Sequence, residues 1–531
     1  AGKEAAVVVS YVPGPIYHLG KITLEGDLPP AKRGLLDLHA GQPAVAADVI
    51  NAGTRLLRSL QDQGYAFAKV EGPVAYEKPD ARELDVIYTV TTGKTAHFGA
   101  IEVAGLQRTQ RDSVLSRLGM HSGDPYSAAA IDKARRNLLA MGVFGTVAVS
   151  TAPAPDPDGS VPVTFRVTER KRHGVTLLGA YSSDLGGSGT VTWTDNNVFG
   201  HAEQLNLKAS IINLGASAAN GAGYNTGAQL VLPEFHDPQQ TLQFSLNALK
   251  QSLLTYDQTS ETAGVTLTRT LSKIWTVSVG LTATDDTISQ PQELYVPNLD
   301  KDVFYYTLFA IPLSLRYDST DLSSLLLDPT HGMRAALTVT PTLSLGPPNA
   351  TYVITQIRAS AYLDLHDLAL TAPGRTVIAV RGLYGYAQGA SVTGLPPDQR
   401  FYAGGSETVR GYQFQSVGPQ FADTYPPPAG TVTNPNFSEN TPVGGIAVDA
   451  GGVELRQRVG LNYGYAVFAD AGRVGETALP FSGKYAVGLG AGVRYYTPIG
   501  PLRVDIGFPM HRLPKPNNDS FELYIGLGQS F

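Results

Sequence analysis

The stretch GGSETVRGYQFQSVGP (404–419) sets a cation, Arg410, among residues that a solvated loop does not need. Gly404, Gly405 and Ser406 read as a turn, yet Val409, Tyr412 and Phe414 surround the arginine with apolar surface. A guanidinium is a rigid fork of donors that matches a carboxylate bidentately, so the chemistry it predicts is ion pairing. Val409, Arg410, Gly411 and Tyr412 form the first candidate site, a loop motif buried around one charge. Other residues capable of chemistry are poorly arranged for it. His18 and His97 each stand alone before a glycine turn, without the partners a metal would need. GLGAG (488–492) has the wrong spacing for a dinucleotide loop and runs on into strand. There is no G-x-S-x-G and no pair of histidines, and the absence of cysteine removes disulfides, thiolate metal sites and thiol nucleophiles. The expectation is a protein that is not an enzyme and carries no cofactor or metal. A net charge of −6 gives no reason to expect nucleic acid.

The elements that must hold Arg410 follow from composition and period. Charged residues are 16% of the chain, against roughly 25% in soluble domains. No stretch approaches the ~18 consecutive apolar residues of a membrane helix. Apolar residues are therefore interspersed with uncharged polar ones, and 57 Gly and 26 Tyr against 4 Met lean towards β-structure. Ala1 to Tyr11 lacks the basic start and apolar core of a signal peptide, so an exported protein would be a processed or trimmed chain here.

The first 170 residues hold a repeat. YHLGKITLEG (17–26) matches AHFGAIEVAG (96–105), and GQP (41–43) answers GDP (123–125). Val49, Ala52, Leu56, Leu57 and Leu60 recur with helical period after the first, and Ile131, Ala134 and Leu138 after the second. Each copy ends in an alternating strand, Leu84/Val86/Tyr88/Val90 and Val161/Val163/Phe165/Val167. The unit reads strand, helices, strand, strand, with domains expected at 14–93 and 94–170. AAVVVSYVPGP reads as the last strand of a preceding unit, leaving 1–13 as its remnant.

From about Gly174 the period changes to two. TLQFSLNALK (241–250) and WTVSVGLTAT (275–284) place Leu, Phe, Val and Trp on one face and Thr, Ser, Asn, Gln and Gly on the other. Strands of about ten residues, apolar outside and uncharged polar inside, predict a transmembrane barrel over 171–531. A soluble sandwich would carry charges on its outward face. Connections of two lengths are expected, short at DPTHG (328–332) and long at 285–303. At roughly 22 residues per strand and connection, about 16 antiparallel strands fit. Closure is obligatory, because an open sheet edge cannot be satisfied in lipid.

Several motifs together are similar to the Omp85 superfamily of outer-membrane assembly and transport proteins, with the repeats resembling its POTRA domains. They are GAYSSDLGGSGTVTWTDNNVFG (179–200), RYDSTD and LDPTHG within 316–332, VRGY (409–412), VFADAG (467–472), GVRYYTPIGPLRVDIGFPM (492–510) and the ending YIGLGQSF (524–531). Within the superfamily the first and last resemble the TamA family, outer-membrane subunits of a translocation and assembly module. That family has three POTRA domains, where this chain shows two and a remnant. The resemblance implies that 404–419 folds into the lumen and that Arg410 meets Glu454 and Asp470 there. Alternation agrees: GGVELRQR (451–458) and VFADAG sit on consecutive strands, and a carboxylate in a membrane strand must face the lumen.

The first and last strands, about Gly174–Ser182 and Phe521–Phe531, must pair to close the barrel. Val175, Leu177, Gly179 and Tyr181 with Tyr524, Gly526, Gly528 and Phe531 are the candidate seam, which the last strand's glycines weaken. The resemblance implies a bacterial outer-membrane location with periplasmic repeats. It implies assembly or translocation of unfolded outer-membrane clients, autotransporters among them, through a lateral gate at that seam. A TamB-like inner-membrane-anchored partner on the POTRA domains, contact with membrane lipids and one barrel per complex belong to the same expectation. A two-partner-secretion pore and a general insertase of the superfamily are the alternatives. A passive porin has no use for the repeats.

Overall fold

The computed structural model describes residues 15–27, 36–215, 221–290, 302–320, 328–421, 441–477, 480, 483–498, 500–514 and 519–527. The expected remnant at 1–13 lies outside them. The chain divides into two compact units, Ala1–Lys171 with Phe199–Ala202, and Arg172–Val198 with Glu203–Phe531.

In the first unit, His18–Gly26, Lys69–Lys78 and Glu83–Thr91 form one sheet, with Glu83–Thr91 in the middle. His97–Ala104, Phe144–Thr151 and Ser160–Glu169 form a second with the same order and the same mix of one parallel and one antiparallel pairing. The helix Ala46–Asp62 buries Val49, Ala52, Leu56 and Leu60, and Ala128–Ala140 buries Ile131, Ala134 and Leu138. The glycine that ends the first strand of each repeat has a plain cause. Gly26 and Gly105 take φ of 105° and 95°, and a Cβ there would lie 2.0 and 2.1 Å from the carbonyl oxygens of Val90 and Val167. His18 and His97 are exposed, and their backbones bridge to Pro43 and Pro125.

The second unit is a closed barrel of antiparallel strands. Asp302–Ala310 and Leu313–Asp318 both pair with Trp275–Gln290 on one side and Gly332–Leu345 on the other. They are one strand interrupted at Ile311–Pro312, where proline has no N–H to give the ladder. Counted so, the barrel has 16 strands. Alternation is clean. Leu177, Leu246, Leu281 and Val493 are 57–71% exposed on the outer wall, whereas Asn206, Thr262 and Thr284 hydrogen-bond among their polar neighbours inside. Trp275 stacks edge-on to Tyr317, and Tyr463 lies 5.4 Å from Tyr495, at the end where the chain enters. Such aromatics mark a membrane interface.

Two expected connections differ. Residues 285–290 continue the strand Trp275–Gln290 and the next begins at Asp302, so the connection at 285–303 is shorter than its sequence suggests. DPTHG is only the end of a longer connection from Asp318 to Gly332. Polar Thr, Ser and Asp in alternation extend a hairpin beyond the membrane as readily as they leave it, which hides both boundaries.

Glu169 ties the second repeat together. Its carboxylate accepts from the backbone N–H groups of Gln107, Arg108 and Thr109 at 2.9–3.0 Å and from Arg108 Nε at 3.1 Å. Burial alone would raise its pKa. The hydrogen bonds from Arg108, Thr109 and Gln107 outweigh that and hold it down to about 2. The sign follows: the stabilisation is complete above the ordinary carboxylate range and is lost as pH falls from about 4.5 towards 2. Hydrogen exchange across 96–170 is expected to accelerate in that window, and Glu169→Gln should flatten the dependence; an unchanged profile would exclude this role.

Candidate functional site: the lumenal ion-pair network and the seam

Glycines come first. In the strand Ala486–Thr497, Gly488, Gly490 and Gly492 alternate on the lumenal face. A Cβ at Gly488 would sit 1.8 Å from the Arg410 carbonyl oxygen, and one at Gly490 would sit 2.2 Å from the Phe468 ring. GLGAG is thus a groove cut by leaving side chains out, for the loop backbone at Gly488 and for the Phe468 ring at Gly490. Between Thr376–Gln388 and Ala447–Val459, the loop segment around 401–417 enters the lumen and lies in it, with Val409, Arg410 and Tyr412 buried.

Arg410 has no exposure. Its Nε donates to Asp470 Oδ2 at 2.7 Å, Nη2 to Asp470 Oδ1 at 3.2 Å and Nη1 to Glu454 Oε2 at 2.7 Å. The guanidinium also lies 3.4 Å from the Phe468 ring centroid. Glu454 and Asp470 come from adjacent strands, Ala447–Val459 and Tyr463–Gly475, joined by the short turn at 460–462. Both carboxylates face inward, beside the arginine that the sequence pointed to.

The network is wider than the sequence reading. Arg381 binds Asp470 at 3.1 Å and reaches the carbonyls of Ser406, Glu407 and Thr408. Arg494 pairs with Asp505, and Arg503 meets the same carboxylate at 3.3 Å. Arg456 joins Glu454 at 2.8 Å to Asp328 at 3.0 Å. Apart from Arg381, on the strand Thr376–Gln388, these charges lie in motifs already apparent in the sequence. The missed signal is the one that found Glu454: a charge in mid-strand between apolar neighbours has only the lumen to face.

Tyr412 Oη donates to the His511 carbonyl at 2.9 Å. Gly411 N–H donates to Tyr524 Oη at 3.2 Å, and Phe414 N–H to Asp184 at 2.9 Å.

At the seam the first strand is His173–Ser182 and the last Glu522–Leu527. The first strand pairs along its whole length with Gly186–Asn196. Across the seam, the register among the described residues is Tyr524↔Ser182 and Ile525↔Tyr181 alone. Ser183 adds a backbone bond to the Leu523 carbonyl at 2.9 Å and a side-chain contact to Glu522. Val175, Leu177 and Tyr181 face outward, and Gly179, on the same face, pairs with Gly189 of the next strand. Tyr524 belongs to the seam by its backbone, while its side chain points into the lumen and holds the loop. Gly526 lies beside Arg503. Gly528 and Phe531 lie outside the described residues.

Removing the Arg410 guanidinium takes a close partner from two buried carboxylates and leaves Asp470 to Arg381 and Glu454 to Arg456 and Arg494, so the cost stays below the roughly 3–5 kcal/mol of a fully broken buried pair. Arg410→Ala should therefore lower the temperature at which the barrel loses its heat-resistant gel mobility. Arg410→Lys should recover part of it, since the charge stays and the fork is lost; equal mobility transitions in all three proteins would contradict this.

A family model for the Omp85 superfamily domain matches residues 197–531, and one for a surface antigen variable number repeat, the POTRA type, matches 96–170. The outer membrane protein assembly factor BamA of Neisseria meningitidis is 22% identical over 96% of this chain and 66% of its own length. BamA of Nitratidesulfovibrio vulgaris is 26% identical over 39% of this chain and 27% of its own. The chain thus spans two thirds or less of these relatives. The crystal structure of BamA from Haemophilus ducreyi lacking POTRA domains 1–3 superposes with a TM-score of 0.75 at 19% identity, covering 96% of this chain and all of that one. CdiB from Acinetobacter baumannii gives 0.52 at 14% identity, covering 97% and 91%. With POTRA-type sheets ahead of a 16-strand barrel and a family match over more than half its length, the chain belongs to the Omp85 superfamily of outer-membrane β-barrel proteins.

Proposed function

We propose that this outer-membrane barrel, with its POTRA repeats in the periplasm, inserts β-barrel proteins into the membrane at the seam between its first and last strands. The observation that carries the reading is the seam register. Every other neighbouring pair of barrel strands shares a longer ladder than the closing pair does among the described residues. Backbone groups on His173–Ser182 are then a template on which a client strand can add by β-augmentation. The step needs no chemistry and no nucleotide; client folding supplies the driving force.

The repeats suit capture of unfolded clients in the same way, since Lys69–Lys78 is an edge strand with Val74 and Tyr76 exposed. The TamA-like motifs support autotransporters as clients and a TamB-like periplasmic partner on the repeats. The likeness to assembly factors supports a broader range of barrel clients.

Tyr181 and Ile525 stand opposite each other on the outer wall, at a spacing suited to a cross-strand disulfide, in a chain without cysteine. Tyr181→Cys with Ile525→Cys should assemble clients when reduced and stop when oxidised. Continued assembly by the oxidised protein would sink the seam mechanism.

The structural likeness to CdiB favours a second reading, polypeptide export through the lumen. A lumen occupied by the Arg410 loop should give a nearly silent trace in planar bilayers. A large steady conductance would support export instead.

A further inference from the structure

The lumenal wall is chemically two-sided. Over the strands from Gln204 to Gln290 it carries mainly Asn, Gln, Ser and Thr. On four successive strands beyond, it carries Arg316, Arg334, Arg358 and Arg381. These arginines line a cavity of about 480 Å³, with Glu407 and Thr408 of the inward loop on its other side.

Register sets their spacing. Arg316 stands opposite Ala336, and Ala336 opposite Arg358, so two guanidiniums flank a methyl group. Their backbones are about 10 Å apart, two strand spacings. Arg334 is committed to Asp318 at 3.2 Å and Thr320 at 3.3 Å, and Arg381 to Asp470 and the loop carbonyls. The other pair is available. Arg358 meets Glu407 at 3.6 Å with both side chains more than half exposed, a weak pair in water. Arg316 has no ion-pair partner among the described residues.

We propose that this cavity binds a phosphate-bearing anion, a phosphate monoester or diphosphate group, held between Arg316 and Arg358. One carboxylate satisfies one guanidinium fork. Two forks lining one cavity, with an alanine between them in register, suit a doubly charged group with oxygens on several sides. Glu407 is the built-in competitor, already lying on Arg358 from the loop. The site is in the half of the lumen nearer the end where the chain enters, against the same loop that carries Arg410.

The test uses the full chain in maltoside micelles, titrated with sodium pyrophosphate and with dihexanoyl phosphatidic acid, by calorimetry and phosphorus line broadening. Saturable binding is expected, weakened about tenfold or more by Arg316→Gln with Arg358→Gln, as loss of charge-assisted hydrogen bonds implies. Glu407→Gln should tighten binding, and Lys208→Gln on the opposite wall should leave it unchanged. Arg316→Gln alone, at an exposed residue, covers the case in which the double variant fails to fold. Tighter binding of the phosphatidic acid identifies a lipid headgroup as the source, and equal or weaker binding a soluble phosphate. No saturable binding of either probe, or the same affinity in the arginine variants, overturns the proposal.

Discussion

A guanidinium with no exposed surface, deep inside a membrane barrel, is stable only where carboxylates and acceptors close around it. Much of this barrel's interior follows from that requirement at Arg410. Glu454 and Asp470 supply the charges, so two adjacent strands must present inward carboxylates at matching heights. The loop backbone must approach the wall closely enough for contact, so the facing strands give up side chains at Gly488 and Gly507, and Gly490 makes room for the Phe468 ring on which the guanidinium lies. Because the carboxylates are shared, Asp470 draws in Arg381, Glu454 draws in Arg456 and Arg494, and Asp505, 3.8 Å from Arg410, takes Arg494 and Arg503. The cluster thereby welds a long loop to five strands of the C-terminal half of the barrel, from Thr376–Gln388 to Gly500–Pro509.

Much of this was legible from residue order, for physical reasons that differ by element. The repeats are readable because helix period and strand alternation switch within each, and because Gly26 and Gly105 occupy a conformation with no room for a side chain. The barrel is readable because lipid forbids polar groups on one face, leaving Leu246 and Leu281 outside and Thr262 and Thr284 inside. Arg410 is conspicuous through its neighbours Val409 and Tyr412. What stayed hidden has no local signature. The alternating glycines of GLGAG look like a loop motif until the surface they clear is visible. Asp328 sits in a connection, where nothing in its neighbours shows that it turns inward to Arg456. The specific relative within the superfamily is also not resolved by motifs that its branches share.

The seam is unlike the rest of the wall. Elsewhere, among the described residues, the wall is held by longer ladders, such as that between Gln240–Ser252 and Asp257–Thr270, which make each strand hard to displace. The closing strands share little backbone bonding among the described residues, and part of what holds them is carried by Ser183 at the rim.

Tyr524 gives that arrangement a mechanical meaning. Its backbone is one of the rungs that close the barrel, and its hydroxyl accepts from Gly411, next to the buried arginine. A strand that peels away at Tyr524 withdraws that hydroxyl from the loop in the same movement. Parting of the wall at this rung would therefore cost the loop that hydrogen bond as well as the strands their own.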